Sequence, residues 1–225
     1  MKKIGLLVAV EMGAVLARYS EPQEKRELFG FELLRYDNPD YCIYAVNSGA
    51  GEIAAAAATE LLIAVCGVDL VVNFGVVGGL TKEMALARTV VIERVVHYDF
   101  DTSEVDWAEP GRYPDHPTPY LPATPELVEK ALAIAPELKK VTCASADKFV
   151  GRAEAKRALH ETWGADICEM ESAGVVLTCN RAKVPCLLIK TVSDAIEGGA
   201  EEFGREVERS AGLCLDVTDR IIREL

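Results

Sequence analysis

"EMESAGVVLTCNRAKVPCLLIKTVSDA", from Glu169 to Ala195, is the stretch on which the fold of this chain turns. Small and apolar residues recur at helical spacing from Ser172 to Ala182, and a short, largely apolar, β-rich run extends from Val184 to Val192. A helix feeding such a strand brings the strand's carboxyl end to the rim of a sheet, where open α/β sheets hold their ligands. Asp194 then lies at that rim. Glu169 and Glu171 lie where the chain enters the helix, so three acids are expected to face one crevice.

The remainder of the chain bounds what such a crevice can serve. With 225 residues, half of them apolar, the chain has length for one domain spanning residues 1–225 and a sheet covered on both faces. A formal net charge of −12 argues against a nucleic-acid or anionic-membrane surface, since either needs a basic patch. Seven cysteines are scattered without a CxxC pair, mostly inside apolar runs, which reads as small buried thiols in a reducing cytoplasm. The amino-terminal "MKKIGLLVAV" has only a seven-residue apolar run, interrupted at Glu11 with no small-residue cleavage site. It is expected to be a buried first strand, Ile4 to Val10, rather than a signal peptide.

Further strand-like runs alternate with helices. Met12 to Tyr19 reads as a helix, and Phe29 to Tyr36 and Tyr41 to Val46 as a hairpin turning at "DNPD". "NSGAGEIAAAAATELLIAVCG" begins with a glycine turn and continues as an alanine-rich helix suited to close packing. "VDLVVNFGVVGGL" is expected to be a strand that runs into a glycine-rich loop, and "TVVIERVVHYDF" a strand followed by a proline-studded loop from Glu109 to Pro125. Thr124 and Pro125 predict a capped helix start, "KKVTCASADKFVG" a strand and loop, "RAEAKRALHETWG" a helix closed by glycine, and the last helix runs from about Glu201. The alternation predicts a single mixed-sheet α/β domain, three layers α/β/α, with its site at strand carboxyl ends.

Neither glycine cluster is a Walker loop or a dinucleotide fingerprint. Each is either a tight strand-to-helix turn or a place where the backbone approaches a ligand closely, as glycine permits. Glu171 and Asp194 stand out among the acids because one precedes and the other ends a nearly apolar segment. Phe149, after "SADK", is either a core plug or a stacking platform. His97 lies beside "YDFD", close enough to reach a rim, and His160 falls on a helix surface. No metal-ligand spacing or His-Ser-Asp order occurs.

Seven motifs in order, "KKIGLLVAVE", "NSGAGEIAAA", "VVNFGVVGGL", "HYDFDTS", "SADKFV", "EMESAG" and "KTVSDA", mark a resemblance that runs nearly end to end. The chain resembles the nucleoside phosphorylase and nucleosidase superfamily, most of all the branch of 5′-methylthioadenosine/S-adenosylhomocysteine nucleosidases, with futalosine hydrolases as near relatives. The resemblance implies a partly barrel-like central sheet and hydrolysis of the N-glycosidic bond of a 5′-modified purine nucleoside such as methylthioadenosine or S-adenosylhomocysteine. It also implies no cofactor, no metal, and a homodimer.

By that resemblance Asp194 contacts purine N7 and assists its protonation as the base departs, with Ser193 beside it. Neutralising the charge that develops on the leaving purine makes the bond easier to break. Glu171 holds the ribose hydroxyls and favours oxocarbenium character in the sugar; Met170 packs under the ribose. Phe149 stacks on the base and the backbone of Val150 reads its edge. Ala50 and Phe203 belong to the 5′ pocket, which a partner's loop carrying Val105, Trp107 and Pro114 closes; an apolar patch of this kind marks an interface. A proline-rich lid is the alternative reading of that loop.

The departures from the family pattern cluster on the nucleophile side. Gly13 stands where the water-activating glutamate belongs, Val76 replaces a serine, Lys190 an arginine, and Glu52 stands where a lysine often follows the first glycine turn. Glu11 is kept, and two extended residues span about 6–7 Å, so its side chain either reaches the water that Gly13 cannot hold or only caps or salt-bridges near the helix start. Phosphorolysis is disfavoured, because Asn73 and Val76 occupy two phosphate-binding positions and no early "GDPxR" loop exists. A catalytically impaired nucleoside-binding protein of the same fold, supported by Gly13 and Val76, remains the other reading.

Overall fold

The computed structural model describes residues 1–225. Its centre is β5 (Leu70–Gly79), whose ten residues are all buried. One neighbour of β5 is β1 (Lys2–Val8), parallel to it. Beyond β1 follow β4 (Tyr41–Asn47), β3 (Phe31–Asp37) and β2 (Glu24–Leu28). β4 is parallel to β1, while β3 runs antiparallel to both β4 and β2. The amino-terminal run is thus a central strand, and the expected hairpin gains a third, charged strand.

On its other side β5 is part of a closed ring. It pairs with both β10 (Cys186–Asp194) and β9 (Ile167–Glu169). β9 continues to β8 (Lys139–Ser145) and β6 (Thr89–His97), and β6 returns to β10. This five-stranded barrel, extended by the open strands on the β1 side, makes a mixed ten-stranded sheet together with β7 (Tyr120–Pro122), which pairs with β6. The expected partly barrel-like α/β architecture is the one observed.

Helices cover the sheet on both sides. α2 (Glu52–Leu61), prolonged by one π-helical turn from Leu62 to Cys66, packs its alanines against α6 (Ser172–Ala182). α7 (Gly199–Ile222) lies along β10 and β5 and contacts both α1 (Met12–Tyr19) and α4 (Pro125–Ile134). α3 (Ser103–Asp106) is a single turn in the loop after β6, and α5 (Ala153–Trp163) ends at Gly164 in the left-handed conformation. All seven cysteines are free and buried.

Two local expectations are corrected. The "GVVGG" segment is strand, not loop: Gly78 and Gly79 pair with Cys168 and Ile167 of β9. Glycine is needed there because a Cβ on Gly79 would lie 2.3 Å from the main-chain oxygen of Met84. Thr124 precedes α4 as expected, but its hydroxyl accepts the N–H of Cys186 at 2.9 Å and makes no capping bond to its own helix.

Candidate active site

The carboxyl ends of the parallel strands β1, β5 and β10 converge on one small cavity, where the end of the short, antiparallel β9 meets them. It is lined by Ala9, Val10, Glu11, Ala50, Val76, Val77, Gly78, Phe149, Cys168, Glu169, Met170, Glu171, Ser193, Asp194 and Phe203. The cavity encloses about 100 Å³. That is less than the roughly 300–1,000 Å³ of most ligand sites, because Phe203 from α7 rests edge-on against Phe149 with ring centroids 5.4 Å apart. Residues 185 positions apart in sequence, Ala9 and Asp194, meet here only because β1 and β10 flank the same strand.

Glu171 enters from the start of α6. Its Oε1 accepts the N–H of Gly51 at 3.0 Å, which ties α6 to the glycine turn before α2. Burial, and then the neighbouring charge of Glu169, raises its carboxyl to about 7, so it exchanges a proton near neutrality.

Glu169 behaves differently from the expectation that three acids share the crevice. Its backbone reaches the cavity, but its carboxylate turns inward. It accepts the N–H groups of Glu171 and Ser172 and pairs with Lys190 at 3.2 Å. Burial alone would raise it, yet Lys190 and the hydroxyl of Ser145 outweigh burial and hold it below the usual carboxylate value. It anchors the amino-terminal turn of α6, where a negative charge is stabilised by the helix dipole.

Lys190, expected beside a nucleophile, is correspondingly buried beneath the cavity. Burial works against its charge, but Glu169, Glu171 and Glu11 hold it protonated.

A buried acid that pattern reading marked only as a departure completes this layer. Glu52 lies against Ser145 Oγ and the N–H of Gly174, while Ser145 Oγ is 2.5 Å from Glu169 and accepts the N–H of Ala173. A serine hydroxyl carries one proton, which it gives to the ionised Glu169; the contact with Glu52 therefore needs a proton from Glu52. Burial, and then Glu169, raises the Glu52 carboxyl to about 8, in accord with that count.

The sign of the linkage follows. A carboxyl raised on folding contributes most stability below its unfolded value, and this is lost as pH rises through the folded value. Glu52→Gln preserves the donor and the acceptor without titrating. It is expected to gain melting temperature relative to wild type as pH rises from the usual 4.5 to about 8, as thermal scans across that range would measure.

On the opposite wall Asp194, the last residue of β10, is buried. Its Oδ2 accepts from Lys156 Nζ at 2.5 Å and its Oδ1 lies 3.1 Å from Ser193 Oγ. Burial raises its carboxyl, against the opposing effects of Lys156 and Ser193. Lys156 was not singled out by its sequence, where it reads as part of a helix surface. The available signal is its position on one face of α5 with Leu159 and Trp163, three and seven residues on. Val150 lines a recess of about 30 Å³ that shares Phe149 and Asp194 with the main cavity.

Glu11 closes the third side. As the residue before α1 it reaches back over β5: Oε1 accepts the N–H of Val76 and Oε2 that of Val10, each at 2.9 Å. The absence of a side chain at Gly75 makes this possible, since a Cβ there would stand 2.7 Å from Glu11 Oε1. Gly13 is exposed, and a Cβ on it would meet nothing within 4 Å. It does not line the cavity but an adjoining open groove between α1 and α7.

The remaining expected residues lie elsewhere. Val105, Trp107 and Pro114 are exposed and outside the cavity of the single chain, Val105 and Trp107 at 85% and 90%. His97 does not reach the cavity either; its Nδ1 is 2.8 Å from the hydroxyl of Tyr113.

The cavity thus has carboxylates on three walls and an aromatic pair at the fourth. The family model described as Phosphorylase superfamily matches residues 3–223. The chain belongs to the phosphorylase superfamily. It is 30% identical to the 5′-methylthioadenosine/S-adenosylhomocysteine nucleosidase of Hydrogenovibrio crunogenus, over 93% of each chain. It is also 30% identical to the aminodeoxyfutalosine nucleosidase of Helicobacter pylori, over the full length of both. Among solved structures of the superfamily, that of a Helicobacter pylori 5′-methylthioadenosine/S-adenosylhomocysteine nucleosidase with butyl-thio-DADMe-Immucillin-A superposes with a TM-score of 0.94 at 29% identity. The superposition covers 100% of this chain and 99% of the other.

Proposed function

We propose that this member of the superfamily is a purine nucleosidase, an N-ribosyl hydrolase acting on a nucleoside with a modified 5′ group. Methylthioadenosine and S-adenosylhomocysteine are the leading substrates, given the relatives that carry those names. The observation that carries the reading is the placement of Glu11, Glu171 and Asp194 on three walls of one cavity, with Met170 and Phe149 between them. In this reading Asp194 protonates the departing base and Glu171 holds the ribose hydroxyls over Met170. Phe149 stacks on the base, Val150 and Ser193 border it, and Ala50 and Phe203 face the 5′ group. Glu11 takes the proton of the attacking water. Entry of a purine requires the Phe203 ring to leave Phe149.

Phosphorolysis fits this cavity poorly. Phosphate would have to sit among carboxylates, and the two buried cations behind them, Lys190 and Lys156, are already paired with Glu169 and Asp194. Chromatography of a nucleoside panel, with and without phosphate, tests the reading. Free purine released equally in both conditions is the expected result. Release that requires phosphate would establish a phosphorylase, and no release from any nucleoside would leave a binding protein.

No helix of the chain is long and apolar enough to cross a membrane. A small-molecule nucleoside as ligand, and a cytoplasmic setting for the seven free thiols, complete the proposal. The same reading makes the protein a homodimer, in which the loop with Val105, Trp107 and Pro114 covers the partner's 5′ pocket. Its support is the exposure of Val105 and Trp107 on a single chain. Light scattering at micromolar concentration is expected to give twice the chain mass of 24.4 kDa, and Trp107→Glu to shift it towards the monomer.

The glycine under Glu11 offers a separate check on the water side. Gly75→Ala is expected to push the Glu11 carboxylate from its seat. A misplacement of about 1 Å can cost roughly 10²-fold in rate, and steady-state turnover of the best nucleoside would measure it.

A further inference from the structure

We propose that Lys156 is a positioning residue for base release, acting on the substrate through Asp194 by fixing its orientation and stabilising the charge it acquires. The inference rests on the reading above, in which Asp194 gives a proton to the departing purine.

Lys156 is fully buried and does not line the cavity. Its ammonium spends its donors on three oxygens: Asp194 Oδ2 at 2.5 Å, the main-chain oxygen of Ala195 at 2.8 Å and that of Asp194 at 3.2 Å. Both the carboxylate and the turn that follows it are therefore held by one side chain. With Oδ2 committed to Lys156, Oδ1 beside Ser193 is the oxygen left to meet a base. The neighbouring strand makes room for the pair. A Cβ on Gly78 would lie 3.2 Å from Asp194 Oδ2 and 3.4 Å from Lys156 Cε.

A buried ion pair is a poor source of stability, since two apolar residues of similar volume often serve as well or better. Its position behind an acid that faces the cavity gives it a chemical use instead. The titratable groups around Asp194 are Lys156 on α5, Cys168 on β9 and Glu202 on α7. Glu202 accepts the N–H of Ala195 at 2.7 Å, and its charge, like burial, makes Asp194 a weaker acid. Lys156 is the one cation among them, and it works the other way.

When the glycosidic bond breaks, its electron pair passes to the purine. The proton of Asp194 moves to N7, and the electron pair of the broken O–H bond stays on the carboxylate. Water adds to the anomeric carbon and yields its proton to Glu11. The only charge created on the base side of the protein is that on Asp194. The Lys156 ammonium is already in place to stabilise it, with no reorganisation at the moment of transfer.

The test compares wild type with Lys156→Met, Lys156→Gln and Lys156→Arg on two substrates. One is the purine nucleoside that wild type cleaves best; the other is 4-nitrophenyl riboside, whose phenolate leaves without a proton. In the two neutral variants, purine turnover is expected to fall by about 10²-fold, with nitrophenyl release nearly unchanged. The basic limb of kcat/KM for the purine should move up by about 1–3 pH units, the usual effect of an opposite charge at this range. Lys156→Arg keeps the charge and is expected to keep the limb in place.

Equal losses on both substrates with an unmoved limb, or undiminished purine turnover, would overturn the assignment. Should the neutral variants fail to fold, Lys156→Arg decides. A wild-type limb supports the role, and a limb displaced upward overturns it. Wild type that releases no base from any nucleoside overturns the nucleosidase reading and this inference with it, whereas the other negative results overturn Lys156 alone.

Discussion

Asp194→Asn is expected to lower base release by roughly 10²–10⁴-fold, the usual contribution of a positioned acid, while nucleoside binding changes little. The substitution keeps the shape of the side chain, and Ser193 still lies beside it. Lys156, however, then faces a neutral amide instead of a carboxylate in a place where both side chains are almost fully buried. The interaction lost is one that grows as charge appears on the purine, so the effect falls on kcat and on kcat/KM alike. Single-turnover release of base, measured beside equilibrium binding of the uncleaved nucleoside, separates the two. Near wild-type turnover would show that another group protonates the base.

Glu171→Gln should behave otherwise. In the proposed reading its contacts to the ribose form on binding and strengthen later, so weaker binding is expected to accompany slower turnover.

The secondary structure that lines the site was readable because its residues carry a strong local period. α1 and α6 begin and end where the sequence pattern puts them, at Met12–Tyr19 and Ser172–Ala182. β10 stops at Asp194, as an apolar run closed by an acid implies. What failed was short or charged. β2 is "EKREL", without an apolar face to recognise, and β7 and β9 have three residues each, too few to show any period.

The glycines of β5 were misplaced for a different reason. In most sequences a GVVGG run breaks a strand. Here Glu11 and the main-chain oxygen of Met84 exclude a Cβ at Gly75 and Gly79, and Cys168 and Asp194 crowd one at Gly78, so the strand persists because glycine fits.

The candidate site divides along the same line. Glu171, Asp194, Phe149 and Met170 rest on motifs, and all four line the cavity. The buried partners Ser145, Glu52 and Lys156 depend on contacts across 93 residues for Ser145 with Glu52 and 38 for Lys156 with Asp194. The local sequence shows none of these contacts; for Lys156 it offers only the face shared with Leu159 and Trp163. Glu169, equally prominent in the motif, reads as a third acid facing the crevice. Lys190 and the helix amino terminus draw its carboxylate away from the cavity.

Glu11→Gln is expected to bring hydrolysis close to the limit of detection, because in the proposed reading Glu11 takes the proton of the attacking water in place of a glutamate at position 13. Its two oxygens each accept one backbone N–H, from Val76 and from Val10. A carboxylate has about four lone-pair sites, so capacity remains for a water. Glutamine has one accepting oxygen and must turn its amide nitrogen towards one of those N–H groups, which removes the base and disturbs its seat together. Thermal melts of the variant therefore belong beside the kinetics. Gly13→Glu supplies the complementary test. Its added Cβ meets nothing within 4 Å, so the backbone there accepts a side chain. In the wild-type background it is expected to change little; in the Glu11→Gln background it should restore part of the rate, since a second glutamate then approaches the same water from α1. The reverse pattern, an unaffected Glu11→Gln and activity that first appears with Gly13→Glu, would mean that the natural chain binds nucleosides without cleaving them. The geometry favours the first outcome, because a carboxylate held by two N–H donors over a glycine is already aligned before any substrate arrives.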